Sequence, residues 1–281
     1  MSDAADPKLL DDPMTSPHEV AQEAADVIAR LTGVPHHDIA LTLGSGWGKA
    51  ADLIGETVAE IPATEVPGFH ASAVPGHPGT IRSIRLDSGA HALVIGARTH
   101  YYEGYGVRHV VHSVRTAAAT GARVMVLTNG AGGIKPQWHP GQPVLISDHI
   151  NLTADSPLEG ATFVDLTDLY SQRLRTIAQR IDPSLDEGVY VQFRGPHYET
   201  PAEVAMARTI GGHIVGMSTA LEAIAAREAH MEVLGLSLIT NAAAGVTGEP
   251  LSHEEVVQAG KDAEPVISHL LARIVKEIAV P

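Results

Sequence analysis

Three side chains at the end of one predicted strand can point the same way, and two of them are suited to anion binding. Arg98, His100 and Tyr102 are each two positions apart, and residues with that spacing share one face of an extended chain. An anion could therefore meet the guanidinium of Arg98 and the imidazole of His100 together. The alternative is a solvated loop in which His100 pairs with Glu103, and the local sequence leaves both interpretations open.

A carboxylate lies at a predicted strand-to-helix junction. The strand that starts near Gly188 breaks before a helix whose first turn is explained by Thr200 as N-cap, Pro201, and Glu203 in a capping box. Glu199 is not needed for that start. It either lies at the surface near the helix dipole or faces inward as an acceptor for the N–H groups of a ligand. Because charged side chains are mostly exposed, the local sequence alone favours the surface.

Two glycine-rich segments follow predicted strands. Residues 44–48 are Gly-Ser-Gly-Trp-Gly and residues 129–133 are Asn-Gly-Ala-Gly-Gly, and both are predicted as turns. Such turns present backbone N–H groups to an anion, and open α/β sheets bind ligands at the carboxyl ends of their strands. The first segment lacks the third glycine of the dinucleotide fingerprint and the Ser or Thr of the P-loop. One turn alone could be structural, whereas two favour a phosphate site.

The elements that must position these residues alternate between strand and helix from residue 16 onward. Strands are predicted at 39–43, 80–86, 92–96, 123–128, 143–146, 213–217 and 233–240 and from Gly188, and helices at 16–33, 107–120, 167–181 and 220–230 and from Ser252. This alternation favours one α/β domain over residues 16–281 rather than two small domains. Residues 1–15, rich in Asp, Pro and Ala, are predicted to form a loose tail.

The composition argues against several functional classes. The formal net charge is −14 and no Lys/Arg cluster interrupts it, so nucleic acid is not expected as a partner. No apolar run approaches about 20 residues and no signal peptide is evident, so we expect no membrane association and a cytoplasmic location. The chain has no cysteine, which removes thiolate ligands, and His253-Glu254-Glu255 lacks the second histidine of a zinc motif. No metal site is predicted.

Several short motifs occur in one order between residue 44 and the last helix. They are Gly-Ser-Gly-Trp-Gly (44–48), Pro-Gly-His-Pro-Gly (75–79), Arg-Thr-His-Tyr-Tyr-Glu-Gly-Tyr (98–105), Thr-Asn-Gly-Ala-Gly-Gly (128–133), Asp-His-Ile-Asn-Leu (148–152), Gly-Pro-His-Tyr-Glu-Thr (195–200), Val-Gly-Met-Ser-Thr (215–219), Ile-Thr-Asn-Ala-Ala-Ala-Gly (239–245) and Ser-His-Glu-Glu-Val (252–256). With these motifs the chain closely resembles the trimeric, low-molecular-mass family of purine nucleoside phosphorylases. The resemblance implies a single α/β domain with a central mixed, mostly parallel β-sheet flanked by helices, and a homotrimer with active sites near the subunit interfaces.

The same resemblance implies a phosphate site and a nucleoside site. The phosphate-binding groups would be Ser45, His77, Arg98, His100, the backbone N–H near Gly130, and Ser218. The purine and the ribose would be bound by Tyr102, Phe163, Tyr198, Glu199, Met217, Asn241 and His253. Glu199 would accept the purine N1–H, Asn241 would donate toward N7 or O6, and Phe163 would come from the neighbouring subunit. Catalysis would depend on Asn241, Glu199 and His100.

The implied activity is phosphorolysis of purine ribo- and deoxyribonucleosides in purine salvage, with 6-oxopurines such as inosine and guanosine preferred. Phosphate would attack the anomeric carbon while the purine departs, through a sugar with oxocarbenium character. The products would be the free base and (deoxy)ribose 1-phosphate. The protein would position phosphate and stabilise the charge on the leaving purine. Phosphate would be a co-substrate, and no cofactor is expected.

Three alternatives to this activity stay open from the sequence. A methylthioadenosine-type phosphorylase of the same fold would be expected to carry Asp at position 241 and a hydrophobic group at position 253, whereas this chain has Asn241 and His253. A hydrolytic nucleosidase would leave Arg98 without an anion to bind. A non-catalytic purine-binding or regulatory protein would be consistent with the absence of an acid, base or metal triad.

Overall fold

The computed structural model describes residues 6–71, 79–247 and 252–279, except for the side chain of His253. Its strands are β1 (Ile39–Thr42), β2 (Glu56–Pro62), β3 (Thr80–Arg85), β4 (His91–Ile95), β5 (Val124–Gly133), β6 (Pro143–Asn151), β7 (Asp186–Gln192), β8 (Ile214–Gly216) and β9 (Glu232–Ala242). Its α-helices are α1 (Pro17–Thr32), α2 (Val107–Val110), α3 (His112–Ala119), α4 (Gln172–Ile181), α5 (Pro201–Thr209), α6 (Ala220–Glu228) and α7 (His253–Ile278). Within these residues, no helix is long and apolar enough to cross a bilayer.

The nine strands of the described residues belong to one mixed sheet in the order β2-β3-β4-β1-β5-β8-β7-β6-β9. Strand β9 also pairs with β5, so β5, β8, β7, β6 and β9 form a closed circuit of pairings. The pairs β1–β4, β1–β5, β5–β9, β6–β7 and β7–β8 are parallel, and β2–β3, β3–β4, β5–β8 and β6–β9 are antiparallel. The prediction of a mixed, mostly parallel sheet in an α/β domain is confirmed.

Helices cover both faces of the sheet because its central strands are apolar on both sides. One core cluster joins α1, α3 and α6 to the sheet, with Ile28 and Val114 among its fully buried side chains. A second cluster on the other face joins α4 and α7, with Leu174, Ile267 and Leu271 fully buried. The two clusters hold the sheet between helical layers.

The helix starts that the sequence predicts from capping residues are confirmed. Ser16 Oγ accepts from Glu19 N at 3.4 Å, and Ser252 Oγ accepts from Glu255 N at 3.2 Å. Thr200 and Glu203 form the reciprocal capping box of α5, with N···O distances of 2.7 and 3.2 Å. These signals act within one helical turn, so the sequence alone is sufficient to identify them.

The second predicted glycine-rich turn is instead the end of a strand. Strand β5 continues through residues 129–133 and pairs with β9 and β8, with Gly132 opposite both Asn241 and Val215. A Cβ atom on Gly132 would lie 3.0 Å from Val215 Cγ2, and one on Gly130 would lie 3.1 Å from Thr240 Cγ2. The glycines therefore permit close packing of three strands, and β5 brings its backbone into the strand-end region as an extended chain.

Two helices have bounds that differ from the prediction. The helix predicted over 107–120 is divided into α2 and α3 at Val111, whose φ of −98° and ψ of 1° are not helical. The helix predicted from residue 167 begins at Gln172, because Ser171 caps it and Tyr170 forms a bridge with Val233 of β9. Contacts with distant parts of the chain decide both changes.

Part of the predicted loose tail, residues 7–12, is packed against the domain. Residues 7–10 form a 3-10 turn, and Leu10 in it is 2% exposed. His109 Nε2 lies 2.8 Å from Asp11 Oδ1, and Arg108 Nη1 donates to the carbonyl oxygen of Asp12 at 2.8 Å. One buried leucine and these bonds to α2 hold the segment against the domain. Residues 1–5 lie outside the described part of the chain.

The turn after β1 requires glycine at position 44. A Cβ atom on Gly44 would lie 2.6 Å from the carbonyl oxygen of Thr128 and 3.1 Å from Arg98 Nη1. Gly44→Ala is expected to destabilise the fold by about 3 kcal/mol, because backbone atoms must move to accept the methyl group. The matched control is Gly48→Ala, where a Cβ has no described neighbour within 4 Å. Urea denaturation compares the two variants, and equal midpoints would contradict this steric explanation.

Candidate active site

A cavity of about 310 Å³ opens where β1, β5, β8 and β9 end. Predicted site residues that line it are Ser45, Arg98, His100, Tyr102, Gly130, Tyr198, Glu199, Met217, Ser218 and Asn241. His77 and the side chain of His253 lie outside the described residues. Phe163 does not line the cavity of its own chain and is 94% exposed. The fold thus brings together groups from segments almost 200 residues apart.

The guanidinium of Arg98 is buried and held on two sides. Arg98 Nε donates to Glu222 Oε1 at 3.0 Å, and Nη1 donates to the carbonyl oxygen of Thr128 at 2.7 Å. Nη2 is buried with no hydrogen-bond partner among the described residues, and Arg98 lines the cavity. A fixed guanidinium whose Nη2 has no partner among the described residues is suited to charge-assisted bonds with an oxyanion.

His100 lines the cavity and also pairs with Glu103. Glu103 Oε1 accepts from the His100 backbone N–H at 2.6 Å and lies 3.3 Å from His100 Nδ1. The His100 ring stacks on Tyr102, with centroids 4.9 Å apart. Burial alone would raise the pKa of Glu103, but the bonds from His100 outweigh it and lower that pKa. The ionised Glu103 favours a proton on His100 Nδ1.

Ser218 lies in the turn between β8 and α6. Its backbone N–H donates to the hydroxyl of Tyr190 at 3.3 Å, and its Oγ lies 3.2 Å from Thr219 Oγ1. Burial raises the pKa of Tyr190 to about 12, so this hydroxyl stays protonated. Ser45 contributes a second hydroxyl from the turn after β1. The cavity therefore combines Arg98 with short donors, the set that an acidic protein needs to bind a small anion.

Glu199 faces inward, contrary to the local expectation of a surface residue. It is 7% exposed, and its Oε1 has no hydrogen-bond partner among the described residues. Burial raises the pKa of Glu199, and the nearby charge of Glu203 adds to this shift. A buried carboxylate without a partner is costly unless a ligand supplies N–H groups. Glu199 therefore has the features of a ligand acceptor.

Asn241 presents its amide from the end of β9. Its Oδ1 accepts from Thr240 Oγ1 at 2.8 Å, and its Nδ2 donates to the carbonyl oxygen of Ala242 at 2.9 Å. These bonds fix which end of the amide is the donor. Nearby, a Cβ atom on Gly195 would lie 2.5 Å from the sulfur of Met217 and 3.1 Å from Tyr102 Cδ1. Glycine at position 195 therefore lets the chain that carries Glu199 pass close to the cavity wall.

Comparisons with known proteins identify the family. Residues 38–276 match the model of the phosphorylase superfamily. The chain is 65% identical over 271 residues to the purine nucleoside phosphorylase of Cellulomonas sp., covering 95% of this chain and 96% of the relative. It is 54% identical over 265 residues to the Mycobacterium tuberculosis enzyme of that name, covering 94% and 98%. The chain belongs to the purine nucleoside phosphorylase family.

Solved structures of the family agree with this assignment. The Schistosoma mansoni purine nucleoside phosphorylase in complex with inosine superposes with a TM-score of 0.83 at 30% identity, covering 94% of this chain and 97% of that one. Its isoform 2, in complex with cytosine and ribose-1-phosphate, gives a TM-score of 0.84 at 32% identity, with the same coverage. The resemblance inferred from the motifs is confirmed, and with it the prediction of an enzyme of the purine nucleoside phosphorylase class.

Some residues that line the cavity are not evident from sequence reasoning. Asn129 lines the cavity, donates from Nδ2 to Thr219 Oγ1 at 2.9 Å, and has a buried Oδ1 without a partner among the described residues. Thr240 and Val256 also line it. Glu222 holds Arg98 from below the cavity surface. Its position three residues after Thr219 predicts a capping carboxylate, but nothing local indicates a bond to a residue 124 positions away.

Proposed function

We propose that this enzyme catalyses phosphorolysis of purine ribo- and deoxyribonucleosides, with a preference for 6-oxopurines such as inosine and guanosine. The observation that carries the proposal is that one cavity combines a buried cation with a buried carboxylate, one oxygen of which (Oε1) has no partner among the described residues. The cation, Arg98, suits phosphate, and the carboxylate, Glu199, suits the N1–H of a 6-oxopurine. Schistosoma relatives bound to inosine, guanosine and hypoxanthine support this choice.

The reaction follows from how these groups bind the two substrates. Arg98, with the hydroxyls of Ser45 and Ser218, holds hydrogen phosphate near the anomeric carbon, and His100 and the N–H near Gly130 complete this site. A phosphate oxygen forms the new C–O bond while the C–N bond breaks. The electron pair of the C–N bond stays on the purine. The proton that phosphate loses balances the proton that the free base gains. No cofactor is required, because phosphate is the nucleophile.

Recognition of the purine assigns complementary roles to two side chains. Ionised Glu199 accepts the N1–H of hypoxanthine or guanine, and Asn241 donates toward N7 or O6, where negative charge develops during bond cleavage. An adenine ring has no N1–H and would face the carboxylate with a lone pair. This difference underlies the proposed preference for 6-oxopurines. It also distinguishes the enzyme from an adenosine-directed phosphorylase, although one Schistosoma mansoni relative has been solved with adenosine.

The site would be completed by a neighbouring subunit in a homotrimer. Phe163 is a large aromatic side chain that is 94% exposed in the single chain. Exposing it to water is unfavourable, and burial against a partner subunit would remove that cost. We assign it to the ribose side of the adjacent site. His77 and His253 keep their assignments to phosphate and to the ribose 5′-hydroxyl. A role in purine salvage in the cytoplasm is consistent with this activity.

The function is tested by incubating the enzyme with inosine, guanosine and adenosine, each with and without phosphate. Release of hypoxanthine and guanine is expected only with phosphate, and release of adenine is expected to be about a hundredfold slower. Base release without phosphate would indicate a hydrolase, and faster release from adenosine would overturn the roles of Glu199 and Asn241. Purine binding without any release would indicate a non-catalytic protein. Sedimentation analysis tests the trimer independently.

A further inference from the structure

Glu222 is a buried carboxylate that contacts two different parts of the cavity wall. It is 1% exposed and occupies the third position of α6. Its Oε1 accepts from Arg98 Nε at 3.0 Å, while its Oε2 accepts from the backbone N–H of Thr219 at 2.8 Å. One side chain therefore connects the guanidinium after β4 to the turn that carries Ser218.

The turn at Thr219 needs such a connection, because its backbone is strained. Thr219 has a φ of +83°, a region that residues with a β-branched side chain rarely adopt. Its N–H donates to Glu222, and its Oγ1 accepts from Asn129 Nδ2 at 2.9 Å and lies 3.2 Å from Ser218 Oγ. This backbone conformation sets the direction of the adjacent Ser218 and of the N-terminus of α6.

The geometry of Arg98 depends on the same carboxylate. Arg98 is held at Nε by Glu222 and at Nη1 by the Thr128 carbonyl, and its Nη2 has no partner among the described residues. Without Glu222, the guanidinium could rotate about its long side chain, and Nη2 would no longer have a fixed direction. Donors that are fixed before the substrate binds are the ones that stabilise charge most effectively.

We propose that Glu222 is a positioning residue for the phosphate site, which fixes Arg98 and the Ser218 turn relative to each other. The inference rests on the proposed function. This positioning role requires two acceptor oxygens on one side chain. Glutamine offers one acceptor oxygen, so it must present an NH₂ group to either Arg98 or Thr219. Aspartate keeps both oxygens and the charge, but its shorter side chain cannot reach both partners.

The test compares Glu222→Gln and Glu222→Asp with wild type and with Glu228→Gln, the matched control in the last turn of the same helix. For Glu222→Gln, the KM for phosphate is expected to rise at least about tenfold, whereas the KM for inosine and the affinity for hypoxanthine change less than about twofold. Glu222→Asp is expected to raise only the phosphate KM, by about threefold or more. Glu228→Gln should leave both KM values near wild type.

The outcomes separate positioning from general support of the fold. Equal changes in both KM values, or an unchanged phosphate KM in a folded variant, would overturn the inference. If Glu222→Gln does not fold, Glu222→Asp decides by the same comparison, because it keeps a countercharge for Arg98. Wild-type cleavage that does not require phosphate would instead refute the proposed function. Phosphate-dependent wild type with unaffected variants would refute only the role of Glu222.

Discussion

Arg98→Leu is expected to lower kcat/KM for inosine phosphorolysis about a thousandfold, because it removes the charged donor that we assign to phosphate. It is also expected to lower the free energy of unfolding by about 3–5 kcal/mol. The reason is that Glu222, with 1% of its side chain exposed, would remain buried without its partner. Loss of activity alone could therefore reflect unfolding, and the prediction needs a variant that separates the two effects.

The double variant Arg98→Leu/Glu222→Gln provides that separation. It leaves no unpaired charge at this buried pair, and the amide oxygen introduced at position 222 could still accept the Thr219 N–H, so most of the lost stability should return. Activity should stay at the level of Arg98→Leu, because neither substitution restores a phosphate donor. Urea denaturation and phosphate-dependent kinetics measure the two quantities. Recovery of activity together with stability would show that Arg98 acts through the fold rather than on phosphate.

The sequence predicted those parts of the site whose signals act between residues close together in the chain. The capping box at Thr200 and the N-cap at Ser252 lie within one turn and were correctly predicted. The bond from Arg98 to Glu222 spans 124 positions and could not be predicted. The extension of β5 through Gly133 likewise depends on packing against β8 and β9. Residue identity indicates chemistry, but the partners that orient a side chain come from elsewhere in the fold.

For Glu199, the local sequence predicted the wrong orientation of the side chain. Its local sequence favours the surface, since charged side chains are mostly exposed and the helix start does not need Glu199. The structure buries it because Gly195 lets its segment pass close to Met217. The order of distant motifs already favoured an inward orientation, through the family they resemble. The burial of Glu199 was therefore predictable from the motifs of the whole chain but not from the residues next to it in the sequence.

Glu199→Gln is expected to lower kcat/KM for inosine about a hundredfold, mostly through KM, because the amide can present an NH₂ group to the purine N1–H. The same substitution is expected to raise Tm. Burial raises the pKa of Glu199 above the ordinary 4.5, and a carboxyl with a raised pKa loses stability as the pH rises through its folded value. At neutral pH the ionised group therefore destabilises the unliganded protein, and glutamine removes that cost.

The pH dependence of KM gives a second readout for Glu199, because only the ionised carboxylate accepts the N1–H. In wild type the KM for inosine should begin to rise at a pH above 4.5, as the pH falls through the raised pKa, and Glu199→Gln should lack this rise. The matched control is Glu203→Gln, since glutamine also serves in a capping box and should leave KM and Tm near wild type. A lower Tm with an unchanged KM in Glu199→Gln would mean that Glu199 supports the fold and does not bind the purine.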